Sequence, residues 1–311
     1  MTQAYERLLQ GRTLAGRYEI RELIGSGGMS VVYRGVDRNL GRPVAVKVVS
    51  VPRGGAEDRE ALRARFRREA AAAASIPHHP NVVQVYDYGT DPDLDLDFIV
   101  MELLEGRDLK EALAVARPSR EEAVRILREA ARGLAAGHRA GIVHRDVKPA
   151  NVFLAGRERF ESVRVLDFGI AKPLTARPGE DDLTLGGQLP HSPAYASPEQ
   201  VDPERTVGFA SDVYQLGLIG YELLSGERPY DDRDRERIRA GEEVPPRGGP
   251  GWEAVPPPLR ATLLRALRTG PEDRYRDAAE FAEALSAAAV DDDRTLLESP
   301  RAAAVPPPPA A

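Results

Sequence analysis

Alternating and β-branched stretches, each bounded by glycines, open the chain and predict antiparallel hairpins. The strands are "RYEIRELIG" (17–25), "VVYRGVD" (31–37) and "PVAVKVVS" (43–50), joined by the turns "GSGGMS" and "RNLGR". The charged, alanine-rich segment 57–75 has strong helix propensity, and "HHPNVVQVYDYG" (78–89) and "DFIVMELLEG" (97–106) read as two more strands. A five-stranded antiparallel sheet with one helix is therefore expected. From Gly106 the apolar spacing turns helical. Ser119 and Glu122 form a capping-box pair at the head of a long helix that closes at Gly141. Helices are further predicted over about 210–225, 232–240, 257–268 and 275–289. Residues 173–195 are irregular, a length that inside a domain usually carries function. Residues 290–311 lack periodicity, end in a proline run and read as a disordered tail.

The most polar segment lies between apolar elements. His144 to Asn151 reads H-R-D-V-K-P-A-N and is broken by Pro149. A buried segment could not hold that polarity without a partner for each group. Because an apolar helix leads in and an apolar strand leads out, it reads as a loop on a rigid frame, where chemistry concentrates. A plainly solvated loop is the alternative. Asp146, Asn151 and, one strand later, Asp167 supply a candidate base and two oxygen ligands for a hard cation such as Mg²⁺.

The Gly25–Ser30 turn joins two strands. A dinucleotide-binding glycine motif leads from strand to helix instead, so a Rossmann fold is excluded. A glycine-rich hairpin can also fold over a polyphosphate, because no Cβ blocks its N–H groups. Lys47 interrupts an apolar strand and would lie beneath that hairpin, with Glu69 of the following helix as its natural partner. His78 and His79 have no third ligand nearby and read as turn or packing residues.

Composition narrows the picture. The 311 residues exceed one usual compact core, so two lobes are expected. No long uncharged apolar run predicts a membrane span, and "MTQAYERLLQGR" lacks the apolar region of a secretion signal, so the expected location is cytoplasmic. There are no cysteines, and a net charge of −6 weighs against nucleic acid as a partner. Only four of the 43 basic residues are lysines, which marks Lys47 and Lys148 as candidates for roles needing a compact charge.

Taken in order, "IGSGGMSVV", "VAVK", a helix glutamate, "VMELLEG", "HRDVKPAN", "DFG", "SPE" and "SDVYQLG" resemble the motifs of the eukaryotic-type protein kinase superfamily. The likeness is greatest to its bacterial serine/threonine members and covers about residues 18–289. It implies an α+β, bilobal protein kinase fold. The upper lobe would span about 18–103 and the mainly helical lower lobe about 106–289, after an extension 1–17. It implies ATP and Mg²⁺ as cofactors and proteins with Ser or Thr acceptors as substrates. Ile24, Val32 and Ala45 would cover adenine above and Phe153 below, with Met101 as gatekeeper. The backbone of Glu102 and Leu104 would bond the adenine edge, and Gly25, Ser26, Gly27, Gly28, Met29 and Ser30 would cover the phosphates. Lys47 would hold the α- and β-phosphates, oriented by Glu69; Asp146 would accept the substrate proton; Lys148 would contact the γ-phosphate; Asn151 and Asp167 would bind metal.

The resemblance also implies regulation and bracing. Arg145 would grip a phosphate on the activation loop, with Thr184 first and Thr175 second as acceptors, and Ser192 would serve substrate docking. Phe168 and Gly169 complete "DFG", Glu199 would pair with Arg274, and Asp212 would hold the catalytic-loop backbone. His191 stands at a usual glycine position and Ser197 replaces a common alanine. A homodimer through the upper lobe follows by analogy only. Two other readings compete: a scaffold with weak or no transfer, and a small-molecule kinase, against which the long segment ending in Ser197-Pro198-Glu199 argues.

Overall fold

The computed structural model describes residues 9–27, 30–49, 56–156, 161–168, 194–202 and 204–298, without the side chains at 56–62, 65, 69 and 291–298. The upper lobe is an antiparallel sheet in the order β1-β2-β3-β4-β6-β5. Its strands are β1 (Thr13–Leu14), β2 (Tyr18–Gly27), β3 (Ser30–Asp37), β4 (Arg42–Val49), β5 (Val85–Asp91) and β6 (Leu96–Met101), with helix α1 (Ala56–Ser75) between β4 and β5. β3 alternates buried and half-buried positions throughout, the mark of a strand with one face on a core.

The five expected strands are joined by a sixth, β1, whose two residues are too few to show a period. Leu9 and Leu14 are buried among Tyr18, Ile20, Tyr33, Val44 and Phe98. Part of the stretch expected as an extension thus belongs to the upper-lobe core.

The lower lobe begins with β7 (Gly106–Asp108) and α2 (Leu109–Val115), then α3 (Arg120–Arg139). The capping box forms: Glu122 N donates to Ser119 Oγ at 3.2 Å and Ser119 N to Glu122 Oε2 at 3.0 Å. β7, β8 (Val152–Ala155) and β9 (Ser162–Val165) make a small sheet. The remaining helices are α4 (Pro198–Val201), α5 (Phe209–Ser225), α6 (Asp232–Arg239), α7 (Pro250–Glu253), α8 (Pro257–Ala266) and α9 (Ala278–Glu298). α4 and α7, at four residues each, were too short to show a helical period. α9 runs past the expected end at 289 because no glycine or proline interrupts it before Pro300. The start of the expected tail is thus helical, and residues 299–311 lie outside the described residues. α5 is buried along most of its length and forms the axis of the lobe.

The lobes are stitched together beside β9. Val165 N donates to Asn81 O at 2.9 Å and Val83 N to Val165 O at 3.0 Å. The Asn81 amide donates to Val163 O at 3.0 Å. α3 approaches so closely that a Cβ on Gly133 would collide with the Asn81 carbonyl oxygen, a backbone atom that the stitch fixes. Gly133→Val is therefore expected to lower unfolding free energy by about 2–3 kcal/mol, read as the shift in a chemical denaturation midpoint. An unchanged midpoint would show that α3 can move off the stitch.

Candidate active site

The loop His144–Asn151 is held from below by α5. Asp212, without exposed surface, accepts from His144 N (2.8 Å), Arg145 N (2.8 Å) and His138 Nε2 (2.9 Å). His138 Nδ1 accepts from Ala278 N at 3.2 Å, so its proton sits on Nε2, where Asp212 needs a donor. His144 is set by the same logic. Its Nδ1 accepts from Asp146 N at 3.2 Å and its Nε2 donates to Leu166 O at 2.7 Å. Val147 N donates to Gln215 Oε1 at 2.9 Å. Every backbone N–H from His144 to Val147 thus ends on a side chain, which lets an irregular segment lie buried.

The candidate catalytic side chains converge on this frame. Asp146 Oδ2 lies 2.9 Å from Lys148 Nζ. The Asn151 amide donates to Asp146 O at 2.7 Å and reaches its Oδ2 at 3.3 Å. Lys47 is buried and pairs with Asp167 Oδ1 at 2.7 Å. Asp167 follows Leu166, whose N donates to Asn151 O at 2.9 Å, so the lysine of the upper sheet meets the loop directly. Asp167 and Arg145 are both left-handed, at φ 55° and 66°. Phe168 packs under His144 with ring centroids 4.9 Å apart, in space that a side chain on Gly137 would fill.

The donor set suits a small hard cation. With its amide nitrogen turned to Asp146, Asn151 keeps Oδ1 for a ligand, and Asp167 adds a half-exposed carboxylate. Among the described residues no cluster of three His, Cys, Asp or Glu forms an all-protein cage. Two oxygen donors completed by phosphate and water are the usual binding mode of Mg²⁺.

Above the loop, Ala45 and Met101 are buried cross-strand partners, and Val32 pairs with Lys47. Phe153 is half-buried on β8 and Ile24 is exposed on β2. Glu102 N is already bonded to Gln84 O at 2.9 Å, so of the Glu102 backbone the carbonyl is the group left to meet a ligand. Leu104 lies half-buried on the crossing between lobes. Gly25, Ser26 and Gly27 end β2, and the Gly27–Ser30 pairing carries the hairpin to its tip. Gly28, Met29, Gly169, Thr175, Thr184, His191, Ser192 and the Glu69 side chain lie outside the described residues.

Below, Arg274 grips Glu199 through two bonds of 2.7 and 2.9 Å, both side chains fully buried. Ser211 Oγ adds a third bond to Glu199 at 2.6 Å, and Arg274 also donates to the carbonyls of Arg268, Ala210 and Thr269. Burial pushes the Glu199 carboxyl up, but the bonds from Arg274 and Ser211 outweigh it and hold the group below its ordinary value. The sequence reading missed His138, Gln200 and Gln215. The available signal was an amide three residues after Asp212, on the same face of an otherwise apolar helix.

The family model described as protein kinase domain matches residues 18–278. Serine/threonine-protein kinase PknA of Mycobacterium tuberculosis is 38% identical over 283 residues, covering 89% of this chain and 62% of the relative. PknL of the same species is 39% identical over 290 residues, covering 90% and 68%. The probable serine/threonine-protein kinase pknA2 of Bifidobacterium longum is 35% identical over 280 residues, covering 89% and 35%. The chain therefore spans less than two thirds of PknA.

Removing one partner of the buried pair strands the other charge. Arg274→Leu is expected to cost about 3–5 kcal/mol at neutral pH. With Glu199 depressed in the fold, the pair stabilises above the ordinary carboxyl pKa of 4.5 and loses that contribution as pH falls through the folded value. In the variant, burial without Arg274 raises Glu199, so acid relieves it. The gap between the two melting curves should be widest near pH 7 and narrow towards pH 4; a constant gap would contradict the pair.

Proposed function

Because the chain belongs to the protein kinase family, among the bacterial serine/threonine protein kinases, we propose that it transfers the γ-phosphoryl group of ATP to serine and threonine hydroxyls of proteins, with Mg²⁺ as its metal. Asp146 carries this reading, an ionisable group flanked by bonded backbone and held between Lys148 and Asn151, in the site that also holds the Lys47–Asp167 pair. Bound Mg-ATP supplies the phosphoryl group, and the metal offsets charge on its oxygens.

The chain's own residues mainly align. Asp146 orients the acceptor hydroxyl and takes its proton, while the Asn151 amide fixes the carboxylate. Lys148 stands where charge builds on the transferring group. Lys47 serves the α- and β-phosphates with Glu69 orienting it, and Asn151 and Asp167 offer the metal oxygens. A loose transition state asks for little beyond this positioning and charge balance. Ile24, Val32, Ala45, Met101 and Phe153 enclose adenine, whose edge meets the Glu102 carbonyl and Leu104. Arg145, beside the base, holds a phosphate on Thr184 or Thr175, and Ser192 meets the substrate. Among the described residues no helix is long and apolar enough to cross a membrane; we place the domain in the cytoplasm, with pairing of upper lobes as its route to a homodimer.

Intact-mass analysis after incubation with Mg-ATP tests this reading. Wild type should gain phosphate at Thr184 or Thr175, and Asp146→Asn should lose about 10²- to 10⁴-fold in rate. Equal gain by both proteins would remove Asp146 as the base. No gain by either, with nucleotide still raising the melting temperature, would favour a nucleotide-binding scaffold.

A further inference from the structure

The two peptide groups that flank Asp146 are bonded at all four polar atoms. Asp146 N donates to His144 Nδ1 and Asp146 O accepts from Asn151 Nδ2, both within the loop. The other two bonds leave it. Val147 N donates to Gln215 Oε1 at 2.9 Å, Gln215 Nε2 donates to Gln200 Oε1 at 2.8 Å, and Gln200 Nε2 donates to Arg145 O at 2.6 Å. The relay starts and finishes on backbone atoms either side of Asp146. One end must donate and the other must accept, so both amide orientations are fixed.

Gln200 also accepts from Ser197 N at 3.0 Å and from Ser197 Oγ at 3.3 Å. It follows Glu199, which Arg274 clamps. Gln215 is 2% exposed and Ser197 is fully buried, so the relay runs mostly out of water, with Gln200 half-buried at its outer end.

We infer that Gln200 and Gln215 are positioning residues that couple the segment Ala194–Val201 to the placement of Asp146. The inference rests on the kinase reading for the meaning of Asp146. Arg145 O, at a left-handed residue, is held from the end of this segment. A shift of Ser197–Gln200 therefore reaches the base through two amides rather than through solvent or remote packing.

Gln215→Leu and Gln200→Leu each cut the relay, and the second, at a half-buried site, disturbs packing less. In both, kcat for phosphate transfer should fall about 10- to 100-fold with the KM for ATP within about threefold, since a misplacement near 1 Å costs that much. Gln215→Glu separates positioning from packing. Protonated, its carboxyl accepts from Val147 and donates to Gln200 as the amide does; ionised, it cannot donate. Its activity relative to wild type should rise as pH falls, whereas a packing defect gives a constant ratio.

Hydrogen exchange at Val147 decides the relay without activity. The amide should exchange at least about tenfold faster in both leucine variants. Unchanged exchange, or kcat within twofold of wild type in both, overturns the relay. A wild type that transfers no phosphate overturns the kinase reading alone, and the exchange result then stands by itself.

Discussion

The geometry of the loop His144–Asn151 depends on one buried carboxylate. Burying Asp212 without partners would cost several kcal/mol. Three donors offset that cost, and two of them are the successive backbone amides of His144 and Arg145. Since α5 is the most buried helix of the lower lobe, the loop inherits the rigidity of the core. The left-handed backbone of Arg145, worth about 1–3 kcal/mol of strain, persists because Asp212 holds its N–H and Gln200 its carbonyl.

Much of this was legible in the chain because it is local. Hairpin alternation, the Ser119–Glu122 cap and the dense polarity of His144–Asn151 each lie within a few consecutive residues. The resemblance then placed Asp212 under the loop and Arg274 beside Glu199, and both contacts are present. Lys47 shows where such reading stops. Spacing offered Glu69, whose side chain lies outside the described residues, and gave no sign of the ion pair at 2.7 Å to Asp167, 120 residues later. Nothing in the spacing ranks one carboxylate over the other. β1 and α4 were illegible for a different reason: at two and four residues they span about one period each, too little for a repeat to show.

Gln200 and Gln215 illustrate a third kind of blindness. An amide has no charge to mark it, and its value depends on which backbone atoms the fold brings within reach. In α5 the only local sign was polarity on a face where burial demands a partner. The same holds for His138, whose tautomer is set by Ala278 N, 140 residues later in the chain.

The stitch between Asn81–Val83 and β9 has a mechanical consequence. The chain itself crosses between the lobes at Glu102–Glu105, and the Glu102–Gln84 bond ties that crossing to the stitch. Two adjacent tethers leave the upper lobe one easy freedom, swinging about the line through them. β2 lies three strand spacings from β6, roughly 14 Å. On that lever arm a swing of about 4° carries Ser26 and Gly27 by ~1 Å, the scale on which alignment governs rate. The upper sheet is thus geared so that a small pivot at its inner edge becomes a large stroke at its glycine-rich rim.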